Sequence, residues 1–339
     1  MKTIPEPLKG FEPVNQIFKG YILGQIISTS MKREIFSLLK RPKKATTLAE
    51  EISADPTITE KLLETLVSMD LLLKRDGRYV NTDLARSFLI KESVHYQGEL
   101  IELILDSYHI WSQLETAMEA GCIGKTDEAP EENTFDKRFM AASAESAVRG
   151  ALQYTVKAIA ELPEFKSARR LLDLGGGHGL YSIAFARENP FLEAVVFDLP
   201  LVTEICEERI REYGMKGRVS VMAGDYLKDD FGTGFDAVFI SHSILYKPEE
   251  SFDLPLKKIH LSLNDGGIII VRHWTRANDK NPLVISLWDL RQTLLGSSNR
   301  LYTEEEYLHI LEERGFVRRE VLRPSHSSDP SVIIVARKG

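Results

Sequence analysis

The chain has 339 residues, of which 43% are hydrophobic and 27% charged, and a formal net charge of −7 at pH 7. That length exceeds what one core usually absorbs, so two domains are expected, and the acidic balance gives no global attraction for nucleic acid or an anionic membrane. Cys122 and Cys206 are far apart and lack a partnering motif, which excludes a disulfide framework and a thiolate metal site and fits a reducing compartment. The N-terminal "MKTIPEPLKGFEP" has no apolar signal region, and no window approaches ~20 uninterrupted apolar residues. A cytoplasmic protein with no membrane partner and no metal is expected.

From Val14 to about Leu89 the apolar residues recur at helical spacing, with Ile17, Tyr21, Ile22, Ile26, Met31, Ile35 and Leu38 marking one face. "RPKKATTLAEEI" then offers a proline break and a Thr47 cap three residues before Glu50, and "TITEKLLETLVSMDLLL" reads as a second amphipathic helix. "KRDGRYV" places two short β-prone pieces about the Asp76-Gly77 turn. Two helices followed by a small hairpin is the order of a winged helix, assigned to residues 1–95. The helix that would enter a DNA groove, Thr59 to Leu71, sets Glu60, Glu64 and Asp70 against Lys61 and lacks the Arg, Asn or Gln needed at base edges. No nucleic-acid partner is expected, and Lys40, Arg41, Lys43 and Lys44 read as a solvated loop. Residues 96–163 continue the helical pattern, split by the polar loop "CIGKTDEAPEENT", and would connect the two halves.

From Ala168 onward, within a second domain assigned to residues 164–339, the rhythm becomes strand and helix in alternation. Strands are expected at "RRLLDLG", "EAVVFDL", "RVSVMAG", "DAVFISHS" and "GIIIVRHW", with helices starting near His178, Leu201, Phe252 and Pro282. This predicts an α/β fold, a Rossmann-like doubly wound parallel sheet, closed by an antiparallel hairpin from "FVRREVLRP" and "PSVIIVARKG".

The first strand-to-helix turn of such a sheet is the ligand crevice, and here it reads "LLDLGGGHGLYSIAF". A dinucleotide fingerprint wants glycine at the first, third and sixth positions, yet the sixth residue from Gly175 is Leu180 and from Gly177 it is Ser182. The pattern present is Asp173-x-Gly175-x-Gly177-x-Gly179, which suits a ligand with an amino-acid end and no pyrophosphate. Asp198, ending the second strand 23 positions after Gly175, stands where nucleoside-binding folds place a carboxylate for both ribose hydroxyls. Asp225 in "AGDYL" ends the third strand.

These residues resemble the first motifs of class I S-adenosylmethionine-dependent methyltransferases. The resemblance implies S-adenosyl-L-methionine as cofactor, held by Asp173, Gly175, Gly177, Asp198, Leu199, Gly224, Asp225 and Tyr226, with Asp225 at the adenine and Tyr226 and Leu227 flanking the ring. "FDLP", "GDYL" and "DLRQTLLGSSNRLYTEEEYLHILEERGF" resemble the small-molecule O-methyltransferase family that includes plant caffeate, animal hydroxyindole and bacterial antibiotic enzymes. In that family the winged-helix region dimerises and helps to cover the partner's substrate site, which implies a homodimer. A small or medium aromatic or conjugated acceptor, methylated at oxygen or carbon, is the expected second substrate. The alternative is a non-catalytic, ligand-sensing winged-helix regulator that retains a methyltransferase-like domain.

The chain departs from this family where chemistry is expected. The family's His-Asp-Trp run after the fourth strand is replaced by Tyr246, Lys247 and Pro248, and Leu301 stands near the place of a later glutamate. Tyrosine near its ordinary pKa is a poor base at neutral pH but a serviceable hydrogen-bonding group, or a base if a neighbour lowers that pKa. The triplet "ILY" resembles the branch that methylates a bacteriochlorophyll ring carbon. His242 and His273, both near carboxyl ends of strands, are the other catalytic candidates. Trp111, Tyr108, Phe139, Trp274 and Trp288 are candidate pocket aromatics, and His178 is expected in the glycine turn beside the methionine end of the cofactor.

Overall fold

The computed structural model describes residues 10–123, 135–276, 281–323 and 329–339. The chain divides into two compact units, Met1–Tyr108 and His109–Gly339. The first contains α1 (Glu12–Lys32), α2 (Ile35–Leu38), α3 (Ala45–Glu51), α4 (Pro56–Ser68), β1 (Leu72–Arg75), β2 (Arg78–Asn81), α5 (Asp83–Phe88) and α6 (Gly98–Asp106). β1 and β2 pair antiparallel about Asp76 and Gly77, which both have positive φ, the backbone that a two-residue hairpin of matching twist requires. Their core is Ile35, Phe36, Leu48, Leu63, Leu66, Leu72 and Tyr79, all buried.

Two local expectations need correction. Thr47 does not cap a helix. Lys43 and Tyr79 exchange backbone hydrogen bonds (3.1 and 2.7 Å), so the chain leaves this extended bridge directly into α3 at Ala45, and Thr47 lies inside the helix. The next helix, α4, is capped instead by Asp55, whose Oδ1 accepts from the Ile58 amide at 2.8 Å. The apolar face of the first helix also behaves differently at its two ends. Met31 and Ile35 are buried, but Ile17, Tyr21 and Ile22 are 75%, 59% and 57% exposed, because the N-terminal half of α1 runs beyond the core of its own unit.

Helix α7 (Tyr108–Trp111) begins at the last residue of the first unit, and the second unit continues with α8 (Leu114–Ala120), α9 (Lys137–Val148), α10 (Ala151–Ala160) and α11 (Pro163–Ser167). The helical pattern is interrupted at Gly150, which takes φ +128 between α9 and α10. The polar loop expected at 122–134 lies, after Ile123, outside the described residues. Then follow β3 (Arg170–Leu174), α12 (Leu180–Glu188), β4 (Glu193–Asp198), α13 (Pro200–Glu212), β5 (Val219–Ala223), β6 (Phe235–Ser241), α14 (Asp253–Ser262), β7 (Leu263–Trp274), α15 (Pro282–Leu294), α16 (Glu304–Glu313), β8 (Phe316–Leu322) and β9 (Ser331–Lys338).

One seven-stranded sheet has the order β5-β4-β3-β6-β7-β9-β8. β3 to β7 run parallel, and β9 returns antiparallel between β7 and β8. Successive side chains point to opposite faces, so Leu171 packs with Ile183, Phe185 and Phe239 under the helices of one face, while Leu172 packs with Val238, Tyr307 and Phe316 on the other. Because β3 has β4 on one side and β6 on the other, chain progression reverses at β3. A crevice therefore opens at the carboxyl ends of these strands, where ligands bind in open α/β sheets.

The helix-to-strand corner behind the crevice is fixed by buried Asn189. Its Nδ2 donates to Phe165 O (2.9 Å) and Ala168 O (3.0 Å), and its Oδ1 accepts from the Phe191 amide (3.0 Å). Asn189→Ala leaves two buried carbonyls without that donor and is expected to lower stability by roughly 2–4 kcal/mol in urea unfolding. A loss below ~1 kcal/mol would show that this corner does not depend on the side chain.

Candidate active site

The glycine turn is shaped by what lies against it. Gly175 has φ +70, and a Cβ there would stand 2.6 Å from the Cβ of Ser243, which lies two positions past β6 and whose Oγ donates to Leu174 O at 3.0 Å. Gly179 has φ +72, and a Cβ would fall 2.4 Å from Cys206 Sγ on α13. Both positions thus exclude a side chain by backbone conformation and by contact. The helix that follows starts at Leu180, two residues after the expected His178, whose Nδ1 accepts from the Leu180 amide at 3.1 Å.

Asp198 joins this turn to the next strand. Its Oδ2 accepts from the Gly177 amide and its Oδ1 from the Leu199 amide, each at 2.8 Å. Burial pushes its pKa up, against the pull of those two amides. An ionised carboxylate offers about four lone-pair directions, so one on each oxygen remains, which is the capacity that a ribose diol requires. Asp173 is placed differently: it is buried beneath the turn, accepts from Ser182 Oγ at 2.7 Å, and its Cγ lies 2.6 Å from where a Gly176 Cβ would be. Desolvation, with Asp198 adding, raises its pKa to about 7.

The remaining cofactor candidates spread along the crevice wall. Leu199 packs with Met140, Val202 and Ile205. Gly224 donates to Asp198 O at 2.9 Å, and a Cβ on it would enter the Phe197 ring at 2.5 Å, so packing alone accounts for this glycine. Asp225 turns its carboxylate into its own loop, accepting from Leu227 N (2.9 Å) and pairing with Lys228 (3.1 Å). Burial raises its pKa, but those two partners outweigh it and leave the group below the ordinary value. The Tyr226 phenol is pushed up by burial and by the charges of Asp225 and Asp198, with Tyr246 nearby.

On the other side of the crevice the structure brings Tyr246, His273 and His242 together. The His242 and His273 rings are 4.8 Å apart, and His273 lies 6.1 Å from Tyr246. Burial, then the charge of Asp198, raises the Tyr246 pKa; among the described residues its hydroxyl makes no hydrogen bond. His273 is 2% exposed, with Nδ1 3.1 Å from Trp274 O and Nε2 lacking a hydrogen-bond partner among the described residues. Desolvation lowers the pKa of His273 to about 4 and that of His178 to about 3, and puts His242 well below its usual value. The sequence did not reveal what fixes the tyrosine. Tyr307 Oη donates to Leu245 O (2.9 Å), Tyr302 Oη donates to Lys247 O (2.8 Å), and the Arg300 amide donates to Tyr246 O (2.8 Å). These tyrosines stand in "LYTEEEY", whose sequence signals a helix start and says nothing of where the hydroxyls reach.

The candidate aromatics do not form one group. Trp274 sits against His242, with ring centroids 5.2 Å apart, and Phe139 packs edge-on to Phe135 beside Met140. Trp111 belongs to a small cluster with Ile110, Ala117 and Leu294, Tyr108 lies in the first unit against Tyr21, and Trp288 is half-buried on α15. Leu301 is buried.

Residues 119–317 match the O-methyltransferase domain family and residues 15–91 match the O-methyltransferase dimerisation domain. The chain is 26% identical over 330 residues to the N,N-dimethyltransferase OxyT of Streptomyces rimosus, covering 95% of this chain and 96% of that one. It is 29% identical over 269 residues to the 3-hydroxy-5-methyl-1-naphthoate 3-O-methyltransferase of Streptomyces sahachiroi, covering 79% and 78%. The fold matches human N-acetylserotonin methyltransferase in complex with SAM at a TM-score of 0.83 and 22% identity, over 99% of this chain and 100% of that one. The chain belongs to the O-methyltransferase family of S-adenosylmethionine-dependent enzymes and is a methyltransferase.

The buried ionisable groups set a pH dependence. His178, His242 and His273 are neutral when folded, so between about pH 4 and 6.5 they bind protons only in the unfolded chain; their contribution is complete above pH 6.5 and is lost as pH falls. Asp173 and Asp198 have raised pKa values and act oppositely, contributing at low pH and losing that contribution as pH rises through the folded values. The three histidines outnumber the two carboxyls, so stability in urea is expected to fall as the pH is lowered from 6.5 to 5. Stability that rises over that interval would contradict the assignment of neutral buried histidines.

Proposed function

We propose that this enzyme transfers a methyl group from S-adenosylmethionine to a small or medium aromatic or conjugated acceptor, at oxygen or at an electron-rich ring carbon. The observation that carries the reading is the crevice itself: the Asp198-held glycine turn lies on one side of the β3–β6 gap, and Tyr246 with the two histidines lies on the other. Relatives named for a naphthoate and for N-acetylserotonin support an aromatic acceptor. The "ILY" triplet supports carbon as well as oxygen.

When bound, the cofactor supplies a methyl carbon already activated on a sulfonium, so the protein has mainly to position two partners in line. Gly175 and Gly177 admit the cofactor's close approach. Asp198 engages the ribose with its two remaining lone pairs, and Asp225 and Tyr226 border the adenine. Leu199 and Gly224 shape the wall behind these, and Asp173 braces the turn from beneath. A tyrosine base would need a lowered pKa, and Tyr246 has a raised one, which supports a neutral phenol that orients the acceptor through its free hydroxyl.

Residues 1–95 are assigned to dimerisation, 96–163 to the helical connection and 164–339 to cofactor binding. The exposed Ile17, Phe18, Tyr21 and Ile22 of α1 supply an apolar face for a second copy of the chain, which supports a homodimer. No described helix is long and apolar enough to cross a membrane. A cytoplasmic enzyme is proposed, and the acidic α4, whose Glu64 is paired with Lys74, speaks against a nucleic-acid partner.

Two substitutions test the two sides of the crevice. Asp198→Ala is expected to weaken binding of S-adenosylhomocysteine by well over tenfold in calorimetry, since hydrogen bonds to a charged group are worth about 1.5–3 kcal/mol each; unchanged affinity would remove Asp198 from the cofactor site. Tyr246→Phe is expected to lower the rate of S-adenosylhomocysteine formation about tenfold or more with that affinity unchanged. Equal turnover would make Tyr246 a packing residue.

A further inference from the structure

Behind the two histidines lies a buried polar chain that the roles above leave unused. Asp329 is ion-paired through Oδ2 with Arg272, a buried residue whose Nε donates to Thr155 Oγ1 and Nη1 to Ser241 Oγ, each at 3.1 Å. Asp329 Oδ1 accepts from Ser331 Oγ at 3.0 Å and from Trp274 Nε1 at 3.3 Å. Ser331 Oγ also stands 3.0 Å from His242 Nε2.

This arrangement decides a tautomer. Ser331 has one hydroxyl proton and two neighbours able to take it, and the carboxylate is the stronger acceptor. The hydroxyl therefore donates to Asp329 and turns a lone pair to His242, whose Nε2 must carry the hydrogen. A neutral imidazole carries only one, so Nδ1 is a bare acceptor. The same reasoning applies to His273: Trp274 O can only accept, Nδ1 is the donor, and Nε2 is the bare nitrogen, without a hydrogen-bond partner among the described residues. His242 is also held at φ +51, uncommon for a residue other than glycine, one position before the Ser243 that packs on Gly175. Such local strain belongs where the surroundings over-determine a side chain's placement.

We infer that Ser331 and Asp329 are positioning residues that lock His242 as its Nε2–H form, so that both imidazoles beside Tyr246 offer only acceptor nitrogens. The site then selects a methyl acceptor carrying an un-ionised hydroxyl or N–H over one carrying a carboxylate at that place. This rests on the acceptor-side reading of Tyr246 given above.

The test uses full-length protein labelled with 15N-histidine and bound to S-adenosylhomocysteine, with His242 assigned by His242→Gln. Long-range 1H–15N correlation is expected to show one Nε2–H tautomer at His242. Ser331→Ala should admit the Nδ1–H form, and Ser331→Thr, which keeps the hydroxyl, should restore the original. 1-Naphthol should shift the bare nitrogens of His242 and His273, with at least about tenfold weaker response to 1-naphthoate. An Nδ1–H tautomer in the unsubstituted protein, an unchanged tautomer in Ser331→Ala, or a preference for 1-naphthoate would overturn the inference. A lock present as expected, with neither probe touching either histidine, would uphold the tautomer assignment and overturn the acceptor-side reading, so the two failures are distinguishable.

Discussion

The carboxylate of Asp198 ties the glycine turn to the end of β4 beyond the last backbone bond of the β3–β4 ladder, the one from the Gly175 amide to Phe197 O at 2.8 Å. β3 and β4 are paired up to Leu174 and Phe197, and beyond that register the glycine turn must find its own partners. It finds them in Asp198, which accepts from Gly177 on the turn and from Leu199 at the start of α13. A neutral side chain would satisfy fewer donors more weakly, because charge-assisted hydrogen bonds are the stronger kind. The cost is a charge in a largely desolvated place, visible in its raised pKa. A ligand donating two further hydroxyls would relieve that cost, so the feature that stabilises the turn also suits the nucleoside proposed for it.

The opposite wall is built from the C-terminal third of the chain. β6 and β7 deliver His242 and His273, β9 inserts beside β7 and brings Ser331, and α16 with the segment before it secures the Tyr246 loop through two tyrosine hydroxyls. The guanidinium of Arg272 lies among these groups and disfavours imidazolium at both histidines, adding to the effect of their burial. The wall is therefore rich in rings and hydrogen-bonding capacity but holds its histidines uncharged. That suits a reaction whose leaving group is already activated, where orientation of the acceptor contributes more than strong base chemistry.

Much of this was legible in the sequence because it rests on local rules. Alternation of strands and helices gave the parallel sheet, and the spacing of Asp173, Gly175, Gly177 and Gly179 gave the crevice, since glycine at positive φ is a property of the turn itself. Features set by distant contacts were not legible. Thr47 looks like a cap until the Lys43–Tyr79 bridge starts α3 earlier, and the periodicity of α1 identifies an apolar face without telling what covers it. Gly224 reads as a ligand glycine although the Phe197 ring explains it. The neighbours that hold His242 and Tyr246, namely Ser331, Asp329, Tyr302 and Tyr307, lie more than fifty residues away in sequence, and only the sheet order brings them near.

The most direct measurement is a crystal structure of the protein with S-adenosylhomocysteine bound. The account predicts that both ribose hydroxyls lie within hydrogen-bonding distance of the Asp198 carboxylate while that group still accepts from the Gly177 and Leu199 amides. A nucleoside bound elsewhere, or an Asp198 that must abandon the turn to reach it, would contradict the central claim.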